Sequence, residues 1–119
     1  MNTRRPRVLQ EAHYLALEIY RATKDFPESE AEILQAEMRR SGITIAGKIA
    51  RAVGVPDAED REKSLRLALR SANELSVRIE LAKDLGYLEE SAADEIGNQV
   101  QRMQFMLNRL LYKNRRLAR

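Results

Sequence analysis

The chain has 119 residues, 44% hydrophobic and 33% charged, which suits one ordinary domain with a buried core and solvated outer faces. Aromatics at 5%, no Trp and three Pro argue against a β-sandwich or barrel; the absence of Cys excludes disulfides, thiolate metal sites and Cys nucleophiles, and fits a reducing compartment. The net charge of +3 is uneven, because Arg4, Arg5 and Arg7 open the chain and Lys113, Arg115, Arg116 and Arg119 close it; with these seven of the 21 basic residues set aside, 14 remain against 18 acidic ones in the body.

Four helices are expected, over roughly 7–26, 30–53, 58–85 and 92–116. In the first, Val8, Ala12, Leu15, Ile19, Ala22 and Phe26 recur at spacings of three and four, and Pro27 stops the helix. The second opens at Ser29, with Glu32 three residues on in a capping-box arrangement. Ala31, Leu34, Met38, Ile45 and Ile49 carry its seam to about Val53, and Gly54 and Pro56 end it. Gly42 and Gly47 each cost about 1 kcal/mol against Ala inside a helix. Either the helix kinks near Ser41 to Thr44, or the missing side chains permit close backbone approach.

Asp57 is the expected N-cap of the third helix, with Asp60 at its third position, and Gly86 is the stop, in the left-handed conformation and covered by Leu85, Tyr87 and Leu88. This helix carries two apolar stripes. At about 100° per residue, Leu65, Ala68, Ala72, Leu75, Ile79 and Ala82 form one face, while Leu67, Val77, Leu81 and Leu85 centre roughly 140° away. One stripe is enough for a helix in a soluble monomer. The second calls for another layer, a partner or a further copy of the chain, so these four residues are the expected oligomer interface. Ser91 with Asp94 repeats the capping pattern for the fourth helix, where Ile96, Val100, Met103, Leu107 and Leu110 continue the periodicity. Four amphipathic helices with short connectors predict a single all-α domain over 1–119, an antiparallel up-and-down four-helix bundle with short basic termini.

Catalysis finds little support. His13 is the lone histidine, Gln10 precedes it by three residues and Ala16 follows it by three, so neither a Glu-x-x-His unit nor a His pair for zinc exists. Glu89, Glu90, Asp94 and Glu95 stand where a helix N-terminus favours negative charge, and the five glycines form no phosphate loop. Met38, Met103 and Met106 read as gap-filling core or interface residues. No enzyme activity, cofactor or metal is expected. No apolar run approaches the ~20 residues of a membrane span. The Arg-rich start leads into Gln10, Glu11 and His13 rather than a signal sequence, so a cytoplasmic location without membrane contact is expected.

In order along the chain come Ala12 to Tyr20 (AHYLALEIY), Lys24 to Pro27 (KDFP), Arg39-Arg40, Ile43-Thr44-Ile45 with Ile49-Ala50, and Ala82 to Leu88 (AKDLGYL). Together these words resemble the four-helix-bundle family named for proteins encoded in intervening sequences of bacterial large-subunit ribosomal RNA, over roughly residues 8 to 111. That family is in turn similar to the accessory variability protein of diversity-generating retroelements. The resemblance implies an up-and-down bundle assembling as a ring-like homopentamer, with a basic character suited to nucleic acid. Where family members commonly have Pro, Asn and Glu in the second helix, this chain has Ala46, Lys48 and Arg51. If these positions share a surface with Arg39 and Arg40, it can hold polyanions.

The expected nucleic-acid contacts are therefore Arg4, Arg5, Arg7, Arg39, Arg40, Lys48, Arg51, Lys113, Arg115, Arg116 and Arg119, acting on the phosphate backbone of RNA or DNA. The plainer reading is a set of solvated faces whose long stems cover apolar surface. Tyr14, Tyr20, Tyr87, Tyr112, Phe26 and Phe105 are placed mostly like core or seam residues, which leaves few stacking platforms and favours structured or duplex RNA or DNA. The alternative is a scaffold or accessory subunit for a protein partner, such as a reverse transcriptase.

Overall fold

A computed structural model describes residues 5–117, all helix and turn, with no strand among them. The four helices are α1 (Arg7–Ala22), α2 (Leu34–Gly54), α3 (Ala58–Asp84) and α4 (Glu90–Leu117). Each packs against the next in sequence and α4 packs against α1, closing the set around one core. Leu15, Ile19, Met38, Ile45, Ile49, Leu75, Val100, Met103 and Leu107 are its largest fully buried members. Met106 lies at the core's margin.

The helix ends depart from the expected ones where local chemistry competes with periodicity. α1 stops at Ala22 rather than at Phe26. The Thr23 hydroxyl donates to the Ile19 carbonyl at 2.8 Å, and the chain turns through Thr23 to Phe26, because the residue before Pro27 is driven out of helical geometry. Phe26 stays buried all the same, its ring 5.5 Å from that of Tyr87. Ser29 is not a cap. Pro27 instead leads a 3₁₀ turn, Glu28–Glu30, and α2 begins at Leu34, whose amide donates to Glu30 Oε1 at 3.4 Å. Ala31, expected on the seam, is consequently exposed.

α2 runs unbroken through both glycines. A Cβ on Gly42 would lie 3.0 Å from Ile19 Cδ1 and 3.3 Å from the Ala16 Cα, so that glycine lets α1 and α2 approach closely, whereas Gly47 faces open space. α3 begins as expected, with Asp57 accepting from the Asp60 amide at 3.0 Å. It ends with Gly86 at φ 81°, the Gly86 amide donating to Lys83 and the Tyr87 amide to Ala82. These two bonds satisfy two of the carbonyls left over at the helix end. α4 starts at Glu90, before the expected Ser91 cap, with the Glu89 carbonyl accepting from Ala93 at 2.9 Å.

The two stripes of α3 part cleanly. Leu65, Ala68, Ala72, Leu75, Ile79 and Ala82 are buried, while Leu67, Val77, Leu81 and Leu85 are exposed, Val77 to 68%. Among the described residues no helix is long and apolar enough to cross a membrane.

Candidate nucleic-acid interface

Charge along α4 sorts by position. No Asp or Glu follows Glu95, whereas Arg102, Arg109, Lys113, Arg115, Arg116 and Arg119 do. Cations near a helix C-terminus offset the partial negative charge of its unpaired carbonyls. Packing then brings other basic segments to the same region. Pro6, Val53, Arg61 and Lys113 line one apolar recess of about 370 Å³, which sets the N-terminal segment and the last turn of α2 beside the last turns of α4. A second groove is lined by Arg7, Glu11, Arg102 and Arg109 around Phe105 and Met106, with Arg102 Nε 3.7 Å from a Glu11 carboxylate oxygen.

A buried polar tie fixes this arrangement. Arg61 Nη1 donates to Asn114 Oδ1 at 2.8 Å, and its Nη2 donates to the carbonyls of Val55 (2.9 Å) and Pro56 (3.0 Å). Asn114 Nδ2 donates in turn to the Ala58 carbonyl at 2.8 Å. One side chain on α3 and one on α4 thus hold the α2–α3 connector, and Asn114 is only 3% exposed. Sequence reasoning missed this pair; the signal available was an Asn inside the apolar period that contains Leu107 and Leu111.

Of the sequence-predicted cations, Arg5, Arg7, Arg40, Arg51, Lys113, Arg115 and Arg116 are exposed, and Lys48 is half-buried. Arg4 and Arg119 lie outside the described residues. Arg40 pairs with Glu37, and Arg115 Nε lies 3.9 Å from a Glu62 carboxylate oxygen. Arg39 is committed within the chain: its Nε donates to Thr23 Oγ1 at 2.9 Å, its Nη2 to the Tyr20 carbonyl at 3.3 Å, and its guanidinium lies 4.5 Å from the Tyr20 ring centre. It therefore closes the C-terminal end of α1. Arg40, Lys48 and Arg51 fall within an arc of about 80° on α2, and Arg40 lies about 16 Å along the helix from Arg51. Of this group Arg51 stands nearest in sequence to Ala52 and Val53, which line the recess that Lys113 also lines.

The aromatic residues correct the expectation of core or seam positions. Phe26 is buried and Tyr87 half-buried, but Tyr14, Tyr20, Phe105 and Tyr112 are exposed. On α4 the guanidinium carbon of Arg109 lies 5.8 Å from the Phe105 ring centre, and that of Arg116 lies 5.9 Å from the Tyr112 ring centre. An aromatic followed four residues later by Arg, repeated after seven, was the signal in the sequence.

Among the described residues two groups have shifted proton affinity. Donation to Glu30 at 3.1 Å, with some desolvation, raises the Tyr87 phenol above its ordinary range, and a bond to Glu80 with its charge raises Lys83. Both lie away from the basic cluster. His13 is exposed, edge-on to Tyr14. Among the described residues no group of three or more His, Cys, Asp or Glu could hold a metal ion.

None of the curated proteins compared matches the chain. A crystal structure of a protein of unknown function from the S23 ribosomal protein family of Bacteroides thetaiotaomicron has the same fold, with a TM-score of 0.81 and 23% identity across 87% of this chain and 97% of that one. The model of the 23S rRNA-intervening sequence protein family matches residues 4–109. With nearly all of its four-helix core inside that match, the chain belongs to the 23S rRNA-intervening sequence protein family.

Proposed function

We propose that this protein is a non-enzymatic, cytoplasmic nucleic-acid-binding protein that grips the phosphate backbone of RNA or DNA, and that its antiparallel up-and-down bundle assembles as a homopentameric ring. The observation that carries the binding reading is the acid-free half of α4, where Arg102 and Arg109 share a groove with Arg7. Phosphate neutralisation by such a cluster gives affinity without sequence choice. Each copy in a ring would add another cluster, and weak contacts would gain through effective concentration.

The test is a mobility shift with mixed RNA or DNA at about 50 mM salt, where electrostatic binding is strong. A shift that weakens on replacing Arg115, Arg116 and Arg119 by Ala is the expected result. No shift at that salt overturns the reading.

One observation favours a second reading. Leu67, Val77, Leu81 and Leu85 leave an apolar strip in water, which a protein partner could cover as well as another copy of the chain. A scaffold of that kind would give no shift, yet would hold a defined partner through this strip.

A further inference from the structure

Phe105 and Tyr112 stand seven residues apart on α4, so they share a face, and their Cα atoms lie about 10 Å apart along the axis. This face is opposite the buried Val100, Met103 and Leu107, and each ring is 63% exposed. The fold has no use for an aromatic at either place, since an outward helix position is ordinarily polar and an exposed ring adds apolar area to water. Each ring is instead followed by an arginine within cation–π reach. The result is a file of ring, guanidinium, ring, guanidinium along about 16 Å of helix. Phe105, Asn108, Arg109, Tyr112, Lys113 and Arg116 line one depression. Among the described residues no carboxylate pairs with Arg109, Lys113 or Arg116.

We propose that this file is a binding face for single-stranded RNA or DNA, with bases stacking on Phe105 and Tyr112 while Arg109, Lys113 and Arg116 hold the adjoining phosphates. The inference rests on the polyanion-binding reading above and names its ligand class. Charge alone accepts any phosphate chain, whereas the rings discriminate. In a duplex both faces of each base are covered by neighbours, so only a strand with free bases can use the aromatic side chains. Self-pairing of this face would set its unpaired cations against those of another copy, and like charges disfavour that contact.

The experiment measures fluorescence anisotropy of labelled strands of about 20 nucleotides, long enough to span such a face, with the full chain. The strands are a mixed-sequence single strand, its abasic analogue of equal charge, and the corresponding duplex. The base-bearing strand is expected to bind about thirtyfold or more tighter than the abasic one, the lower range for two base–aromatic stacks. Combining Phe105→Leu with Tyr112→Leu, which keeps every charge and a good helix former at both positions, should abolish that preference and change duplex binding less than about twofold, as stacking alone is removed. Combining Arg109→Gln with Arg116→Gln should weaken all three strands.

Equal affinity of the unaltered protein for base-bearing and abasic strands overturns the stacking face and leaves the polyanion reading in place. No binding to any strand overturns both. A fall in oligomer mass for the double Leu variant assigns the rings to a subunit contact and overturns the proposal. The abasic comparison uses the unaltered chain, so it decides the matter even if a variant fails to fold.

Discussion

Gly42 and Gly47 lie five residues apart in α2 and answer to different physics. A side chain at Gly42 meets Ile19 at 3.0 Å and the Ala16 backbone at 3.3 Å, while one at Gly47 meets nothing within 4 Å. Replacing a helical Gly by Ala is worth about 0.5–1 kcal/mol through backbone entropy alone. Gly47→Ala is therefore expected to raise the unfolding free energy by that amount. In Gly42→Ala the same gain is opposed by forcing α1 and α2 apart, and the variant should be less stable than Gly47→Ala by about 1 kcal/mol or more in urea unfolding. Tyr87 offers a second test at this scale. Its phenol donates to Glu30, and the folded group holds its proton above the ordinary value of 10.0. A group with a raised folded pKa contributes stability that is complete below the unfolded pKa and is lost as pH rises through the folded one. The melting temperature of the unaltered protein should thus fall more steeply above pH 10.0 than that of Tyr87→Phe, which is the less stable of the two near neutrality. Parallel decline of both would show that the bond contributes nothing.

At the scale of elements, periodicity was a better guide than capping residues. The stripe Val8, Ala12, Leu15, Ile19 and the series Ile96, Val100, Met103, Leu107 are buried as their spacing implies, because a packed helix must hide one face whatever its ends do. Ser29 and Ser91 were misleading as start signals. Pro27 imposed a 3₁₀ turn on Glu28 to Glu30, and the acids Glu89 and Glu90 suit a helix N-terminus as well as Ser91 does. Asp57 and Gly86 acted as read, since each meets a local need that tertiary packing does not override: an amide acceptor and a positive φ. The polar tie between α3 and α4 was legible at one end only: Asn114 stands out inside an apolar period, but nothing local announces that Arg61 will meet it across 53 positions of chain. Its weight can be measured. Asn114→Ala removes the second donor to the Ala58 carbonyl and takes one acceptor from the partly buried Arg61, which should cost about 1–3 kcal/mol. Amide exchange should quicken in the first turn of α3, and unchanged exchange there would confine the effect to packing.

For the whole molecule, the terminal cations were visible as a charge asymmetry, but which of them share a surface depended on how the helices pack. Arg39, adjacent to Arg40, turned inward to close α1, and the α4 aromatics turned outward, since a shift of one or two positions on a helix rotates a side chain by about 100° or 200°. The apolar strip on α3 sets the last prediction. Val77 and Leu81 are 68% and 48% exposed in the chain, so an Asp at either place disturbs no core of its own subunit. Placed inside a contact between copies, the same carboxylate would be buried without a partner and would break it. Mass measurement in solution should therefore give about five times 13.7 kDa for the unaltered protein, whereas Val77→Asp combined with Leu81→Asp should give a smaller species with undiminished helix content. Nucleic-acid affinity should fall with it, together with the steepness of its salt dependence, because fewer clusters then reach one strand and fewer counterions are released. A monomer of the unaltered protein at micromolar concentration refutes the ring. Loss of mass without loss of the salt slope would mean that each chain binds by itself, and that assembly serves some other end.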